Sequence, residues 1–240
     1  MTTRREVIVM GASIGGALLL PAVPSWVDAR TPRRSRLETR MFNFRADATS
    51  DATESIIRRM KEFAAGPGIA GFKVGRNLSQ TPFPTRFEWI YFLQSTARRT
   101  PDAEPASGRF LRLREELESL CSSDVECELD LELPPRYADA PGVKVRHTVM
   151  FDFKAEASPE AQERIVAAIR SMGTLPMVQH YLVARTSIAK RAQHQMEWQV
   201  IGDFANLEDY QAYSDAPVHL AIRADFTANT SRVAFLDVNV

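Results

Sequence analysis

The chain of 240 residues is poor in the side chains that make cross-links and metal cages: it has two cysteines, four histidines and three tryptophans, and its thirty basic residues balance thirty acidic ones. Two cysteines exclude a disulfide-dense scaffold and a four-cysteine zinc site, and leave open either one bridge between Cys121 and Cys127 or a pair of buried thiols. Zero net charge leaves no electrostatic footprint for nucleic acid, so that class of partner is excluded. His180 opens an apolar run and His194 lies in the polar string KRAQHQ; neither has a cysteine or carboxylate at ligand spacing, and no metal site is expected. No context marks a haem ligand, and the glycines of GASIGG do not follow a strand, so no cofactor is expected either. What is present, 45% hydrophobic and 25% charged residues, is the balance of an ordinary folded domain and argues against disorder.

The one long apolar run stands at the start. Residues 1–29 place Arg4 and Arg5 ahead of VIVMGASIGGALLL and close on Val27, Asp28 and Ala29, a small-residue cleavage pattern. Gly11, Gly15 and Gly16 interrupt the run and Pro21 ends it, short of the roughly 20 residues that a membrane span needs. The segment reads as an export signal and resembles the twin-arginine (Tat) class. The expected protein is therefore exported, periplasmic or extracellular, with no membrane attachment once the signal is cleaved.

The rest of the chain is one unit written twice. Slid by 109 positions, MFNFRADATSDATESI (residues 41–56) lies over MFDFKAEASPEAQERI (residues 150–165), with eight of sixteen positions identical. The same ungapped offset pairs Pro67 with Pro176, Val74 with Val183, Arg76 with Arg185, Trp89 with Trp198, and Leu111 with Leu220. Repeat one is set at 36–132 and repeat two at 142–240, joined by a proline-bearing linker, 133–141, expected to be extended.

Each repeat reads as β-α-β-β-α-β. In repeat two, Val143, Val145, His147, Val149, Phe151 and Phe153 fall on one face of a strand. Ser158 and Pro159 start a helix along which Ile165, Val166, Ile169 and Met172 recur at helical spacing. Residues 178–187 and 196–201 are expected as the middle strands, 207–229 as the second helix and 232–240 as the last strand. The last strand of repeat one alternates Val125, Cys127, Leu129, Leu131 and Leu133 with Glu126, Glu128, Asp130 and Glu132, so one face is apolar and the other acidic. A four-stranded sheet with both helices on one side leaves its other face bare, and two repeats can cover one another. The fold class is α+β: two ferredoxin-like repeats forming an intramolecular dimeric α+β barrel. A ligand cavity is expected between the two sheets.

The strings VRHTVMFDF, ANLEDYQAYSDAPVHLAI and FLDVNV resemble the stress-responsive A/B barrel (Dabb) family, whose second helix carries Tyr, five residues, then His. The resemblance covers all of repeat two. It implies a dimeric α+β barrel; many members have no known activity and are associated with stress responses, while a few cyclise polyketides or catalyse related isomerisations. By similarity to those few, His219 would be the general base, Tyr213 would hold a substrate carbonyl and His147 would line the same cavity. A neutral imidazole can take a proton from carbon beside a carbonyl, and a phenol can stabilise the resulting enolate. Tyr213 and His219 stand six apart, which is not one helix face, so a break at Pro217 is needed to bring them together. Trp198 is a candidate ligand-stacking residue as well as a core residue, like its counterpart Trp89.

Repeat one has Glu38, Glu104 and Phe110 where repeat two has His147, Tyr213 and His219, so at most one site exists per chain. Its second helix is expected to begin only after STARRTPDAEPASG. The leading reading is an exported barrel that binds a small apolar or aromatic molecule or acts in stress. One alternative is a cofactor-free cyclase, isomerase or lyase with His219 as base, and another is a structural, oligomer-forming protein. The chain is expected as a monomer with an internal pseudo-dimer, or as a higher homo-oligomer.

Overall fold

The computed structural model describes residues 33–78, 87–96, 104–187 and 194–239. The expected export signal, residues 1–29, lies outside them. Repeat one runs β1 (Arg33–Phe44), α1 (Ser50–Ala64), β2 (Ile69–Arg76), β3 (Trp89–Thr96), α2 (Glu104–Leu120) and β4 (Cys121–Leu133). Repeat two runs β5 (Val145–Phe153), α3 (Pro159–Ser171), β6 (His180–Arg185), β7 (Trp198–Phe204), α4 (Leu207–Ser214), α5 (Pro217–Asn229) and β8 (Thr230–Asn239). The sheets are antiparallel, in the orders β2-β3-β1-β4 and β6-β7-β5-β8.

The duplication extends to details that identity alone does not fix. Thr49 and Ser158, 109 apart, are both N-caps, accepting at 3.2 Å from Ala52 N and Ala161 N. Ile56, Ile57, Met60 and Phe63 of α1 are buried, and so, at the same offset, are Ile165, Val166, Ile169 and Met172. Glu38 lies opposite Glu128 as His147 lies opposite Asp237, and the register of both outer ladders shifts at equivalent places, Asn43/Phe44 and Asp152/Phe153.

Strand alternation sorts side chains into two layers. The bare faces of the two sheets meet through Leu37, Met41 and Phe92 on one side and Met150, Ile201 and Leu236 on the other, all buried in one cluster. This is the expected intramolecular pair, but side chains fill its middle, so the cavity is not between the sheets. The opposite faces carry the helices: Phe42, Tyr91 and Leu93 meet α1 and α2, and Phe151, Val200 and Phe204 meet α3 to α5. Each repeat also reaches across to grip the last strand of the other. Leu78 N donates to Asp237 O at 2.7 Å and Ser187 N to Glu128 O at 2.9 Å, again one offset apart, and these arms occupy edge strands that would otherwise expose unpaired backbone.

Two local expectations change, the linker and the start of α2, and two points that the sequence left open are decided, the continuity of the second helix of repeat two and the state of the cysteines. The linker is not extended: residues Tyr137–Asp139 form a 3₁₀ turn with Tyr137 and Ala138 buried. Its carbonyls are drawn in by the fully buried Arg146 guanidinium, which donates to Tyr137 O and Ala138 O at 2.8 and 3.0 Å and to both oxygens of Asp203. The second helix of repeat two is two helices, because Pro217 forces Ala216 into an extended conformation (ψ 133°) and restarts the chain at α5. Helix α2 starts at Glu104, inside the polar stretch expected to precede it, since a proline in the first turn costs no hydrogen bond. Cys121 and Cys127 are free thiols; they sit six residues apart in one strand, roughly 20 Å at ~3.3 Å per residue, far beyond bridging distance.

Candidate active site

The cavity lies in repeat two between the sheet and its helices. It has a volume of about 470 Å³, with an apolar wall that includes Val149, Val200, Phe226, Val233 and Phe235. His147, Tyr210, Tyr213 and His219 project into one side of it. The three residues singled out in the sequence therefore converge: the Tyr213 ring centroid is 5.0 Å from that of His219 and 6.0 Å from that of His147. The break at Pro217 makes this happen. It lets α5 turn back so that residues six apart face one space, and it leaves Ser214 O at the end of α4 without a helical donor.

His219 Nδ1 lies 2.9 Å from that carbonyl. A carbonyl only accepts, so Nδ1 carries the proton and Nε2 of the neutral ring keeps its lone pair. Burial, and secondly charge on His147, hold the His219 pKa below the usual 6.5. Near neutral pH the ring is thus an unprotonated base of fixed tautomer.

Tyr213 is 1% exposed, and its hydroxyl is 2.9 Å from that of Tyr181. Burial pushes the Tyr213 phenol up to about 12, while the hydrogen bond shared with Tyr181 pulls the other way. With Tyr181 as donor, the Tyr213 proton is left facing the sulfur of Met172 at 3.8 Å, a weak acceptor that a ligand oxygen would displace. Gly202 lies opposite His147 and Tyr181 in the sheet; a Cβ there would stand 3.3 Å from ring atoms of Tyr181 and Phe204.

The sequence reading missed two members. Asp237 accepts from His147 Nδ1 at 2.6 Å and from the Tyr210 hydroxyl at 2.7 Å, fixing the tautomer of the second imidazole. Burial and the charge of Asp237 raise the Tyr210 pKa well above 10, so the phenol stays a donor. Tyr210 had a signal, a tyrosine one turn before Tyr213; Asp237 is placed only by the register that sets it opposite His147. Trp198, the candidate ligand-stacking residue, does not line the cavity. It stacks on Phe151 at 6.2 Å and meets Phe153 edge-on, as Trp89 does with Phe42 and Phe44, so both tryptophans are core residues. Among the described residues no three metal-type ligands cluster; His180 neighbours Asp203 and His194 neighbours Glu126.

In repeat one the equivalent volume is filled by charge. Arg40 stands at the position of Val149, is 1% exposed, and pairs with Asp124 and Glu118; Arg114 pairs with Glu126 and Glu118. The acidic face of β4 is the other half of this network, which is why an acidic stripe can point inward.

The Stress responsive A/B Barrel Domain family matches residues 145–240. No curated protein matches the chain. Among solved structures, an anthrone oxidase-like protein is similar over 88% of this chain and 92% of its own, at 13% identity and a TM-score of 0.58. A protein provisionally described as a chlorite dismutase covers 87% of this chain and 95% of its own, at 14% identity and a TM-score of 0.56. A Dabb family protein of Mesorhizobium loti with a ferredoxin-like fold covers 40% of this chain and 94% of its own, at 24% identity and a TM-score of 0.34. The first two likenesses are of fold, over both repeats.

Proposed function

Taking residues 145–240 as a stress responsive A/B barrel domain, we propose that repeat two binds a small apolar or aromatic carbonyl compound and moves a proton next to its carbonyl without a cofactor, in a cyclisation, isomerisation or lyase reaction. The observation that carries this is the His219 hydrogen bond to Ser214 O inside an apolar cavity: it fixes Nε2 as the basic atom, beside the Tyr213 hydroxyl, whose contact to sulfur is weak. Nε2 takes the proton from the carbon beside the carbonyl, and the C–H electron pair becomes the double bond of an enolate. The enolate oxygen accepts from Tyr213, backed by Tyr181. Return of the proton to another carbon completes an isomerisation; attack of the enolate carbon on a second carbonyl closes a ring. His147, oriented by Asp237 and Tyr210, gives a second fixed polar contact. Export by residues 1–29 belongs to the same proposal.

A second reading, binding without turnover in a stress-associated role, is favoured by the near-complete burial of Tyr213, which also suits a purely packed residue. Deuterium exchange separates the two. Phenylacetone in D₂O with catalytic amounts of the chain should lose its α-proton NMR signals faster than in buffer. His219→Gln should abolish the acceleration, and Tyr213→Phe should lower it ~100-fold or more, the usual cost of a lost oxyanion donor. Binding of the ketone with no exchange above that of His219→Gln would leave the binding reading and remove the catalytic one.

A further inference from the structure

Two imidazoles face the cavity of repeat two, and their partners differ in kind. His219 Nδ1 donates to the Ser214 carbonyl, whereas His147 Nδ1 donates to the Asp237 carboxylate at 2.6 Å. Asp237 is 2% exposed, and the Tyr210 hydroxyl is its second donor. A carboxylate buried this far needs a counter-charge. Repeat one brings one from a neighbouring position: its facing residues are two carboxylates, Glu38 and Glu128, and Arg36 pairs with Glu128. At the 109 offset Val145 stands in the place of Arg36, and the basic group in contact with the carboxylate of repeat two is the facing His147. The ring that rests on a carbonyl is suited to work neutral. The ring that rests on a carboxylate is suited to work charged, because Asp237 stands as counter-ion to an imidazolium. In both rings Nδ1 is engaged, so Nε2 is the atom that exchanges protons. Tyr213 neighbours both, its ring centroid 5.0 Å from that of His219 and 6.0 Å from that of His147, and the three line one cavity.

We propose that His147 is the acid of this site: it delivers a proton to the γ carbon of an apolar β,γ-unsaturated ketone after His219 has removed one from the α carbon, so that the double bond shifts into conjugation. The assignment rests on the reading of His219 as base and Tyr213 as donor to the enolate, and it selects isomerisation among the reactions open to them. His219 Nε2 takes the α proton, and the C–H pair becomes the double bond between the carbonyl carbon and the α carbon of a dienolate, whose oxygen accepts from Tyr213. The dienolate then re-forms its carbonyl, the α–β bond becomes double, and the former β–γ pair bonds the proton that leaves His147 Nε2. One C–H bond is broken and one is made, with nothing oxidised or reduced. Solvent returns the proton from His219 to His147. Asp237 acts through His147 as a positioning residue and touches no substrate atom.

Allyl phenyl ketone is the probe, an aromatic ring with a short unsaturated chain. NMR reads its conversion to phenyl propenyl ketone from the new methyl group, and reads exchange at its α carbon in D₂O. The full chain should catalyse both. His147→Gln should lower isomerisation ~100-fold or more beyond whatever loss it causes in α exchange, on the scale of one general acid. Asp237→Asn should shift the ratio in the same sense by a smaller factor, and His219→Gln should lose both activities. One further measurement needs no variant: the ketone deuterated at its α carbon, turned over by the wild-type chain in H₂O, should give a product without deuterium at the γ carbon, since base and acid are different groups. Deuterium carried to the γ carbon, equal losses of exchange and isomerisation in His147→Gln, or exchange without isomerisation in the wild type overturns the proposal and leaves His219 as base. Absence of α exchange with both this ketone and phenylacetone overturns it together with the catalytic reading on which it rests.

Discussion

The pair Tyr181 and Tyr213 allows the wiring of the site to be tested without a substrate. Their hydroxyls are 2.9 Å apart, at 8% and 1% exposure, and only Tyr213 has a further contact, the weak one to Met172. Tyr213→Phe removes the group that receives the Tyr181 proton and strands a buried hydroxyl, at a cost of about 1–3 kcal/mol. Tyr181→Phe removes only the bond that Tyr213 accepts and leaves its proton on the sulfur, so the cost falls toward about 1 kcal/mol. The double variant strands neither. Two buried phenylalanines facing each other should cost no more than the net value of one neutral hydrogen bond, about 1 kcal/mol. The three losses are therefore strongly non-additive, with a coupling of about 1–3 kcal/mol between the two positions. Urea unfolding at pH 7, followed by tryptophan fluorescence and with the slope checked for constancy, reads all three losses. Additivity within about 0.5 kcal/mol would refute the reasoning, because it would mean that each hydroxyl finds another partner, such as water, and that this end of the cavity is wet rather than dry.

Two further outcomes follow from the charges. Arg40→Val installs the residue of repeat two in repeat one and takes a buried cation from Asp124, Glu118 and Glu126; with the first two partly exposed and Glu126 still held by Arg114, the loss should sit near the low end for broken buried pairs, about 3 kcal/mol or a fall in melting temperature of ~6–12 °C. Burial opposes ionisation of Glu118, but Arg40 and then Arg114 hold its pKa below 4.5, so this stabilisation is present above 4.5 and is lost as pH falls through the lower folded value. The gap between wild type and Arg40→Val in calorimetry should accordingly narrow in acid, and a gap that does not change with pH would contradict the ion-pair assignment. His219 has the opposite origin and the same direction: burial first, and then charge on His147, lower its folded pKa, so the unfolded chain binds the proton better once pH drops below 6.5. Stability should be full above that value and decline below it, and His219→Gln should flatten the decline in urea midpoints taken from about pH 8 to about pH 5; parallel curves would mean that the ring is not desolvated.

Periodicity and repetition made most of the fold legible. The offset aligned two copies, Ser158 marked a helix start, and the alternation in β4 marked a strand with two unlike faces. Pro217 was legible as a required break because a proline cannot continue the turn before it. The layer that holds the cavity was not legible. Both faces of β5 are buried, one against the other sheet and one against helices, and alternation separates the faces without saying which gap the side chains fill. That depends on volumes summed over Met150, Ile201 and Leu236 on one side and over the rings of the helical side on the other. Asp237 escaped notice because a lone carboxylate in an apolar strand has no local pattern; its meaning comes from the register that sets it beside His147. Arg40 and Arg146 carry no local mark of burial, and only the assignment of the sheet faces places them inside.

Duplication gives a physical reason for the asymmetry of the halves. In a dimer of identical units, a substitution such as arginine for Val149 would enter both cavities at once. In one chain it can enter the first copy alone. A network of buried ion pairs can be roughly as stable as the apolar packing it replaces, and here it is paired at all but one nitrogen of Arg40, so the interior of repeat one could drift from cavity to salt-bridge network at modest cost. The outer faces could not drift in the same way. Repeat one covers the bare sheet of repeat two, and its arm delivers the Leu78 N–H to the backbone of Asp237, the residue that orients His147. A copy with no cavity of its own is thereby held to the position of a wall and a clamp for the cavity in the other half, which accounts for a backbone preserved to the register of its bulges around an interior that has changed in kind.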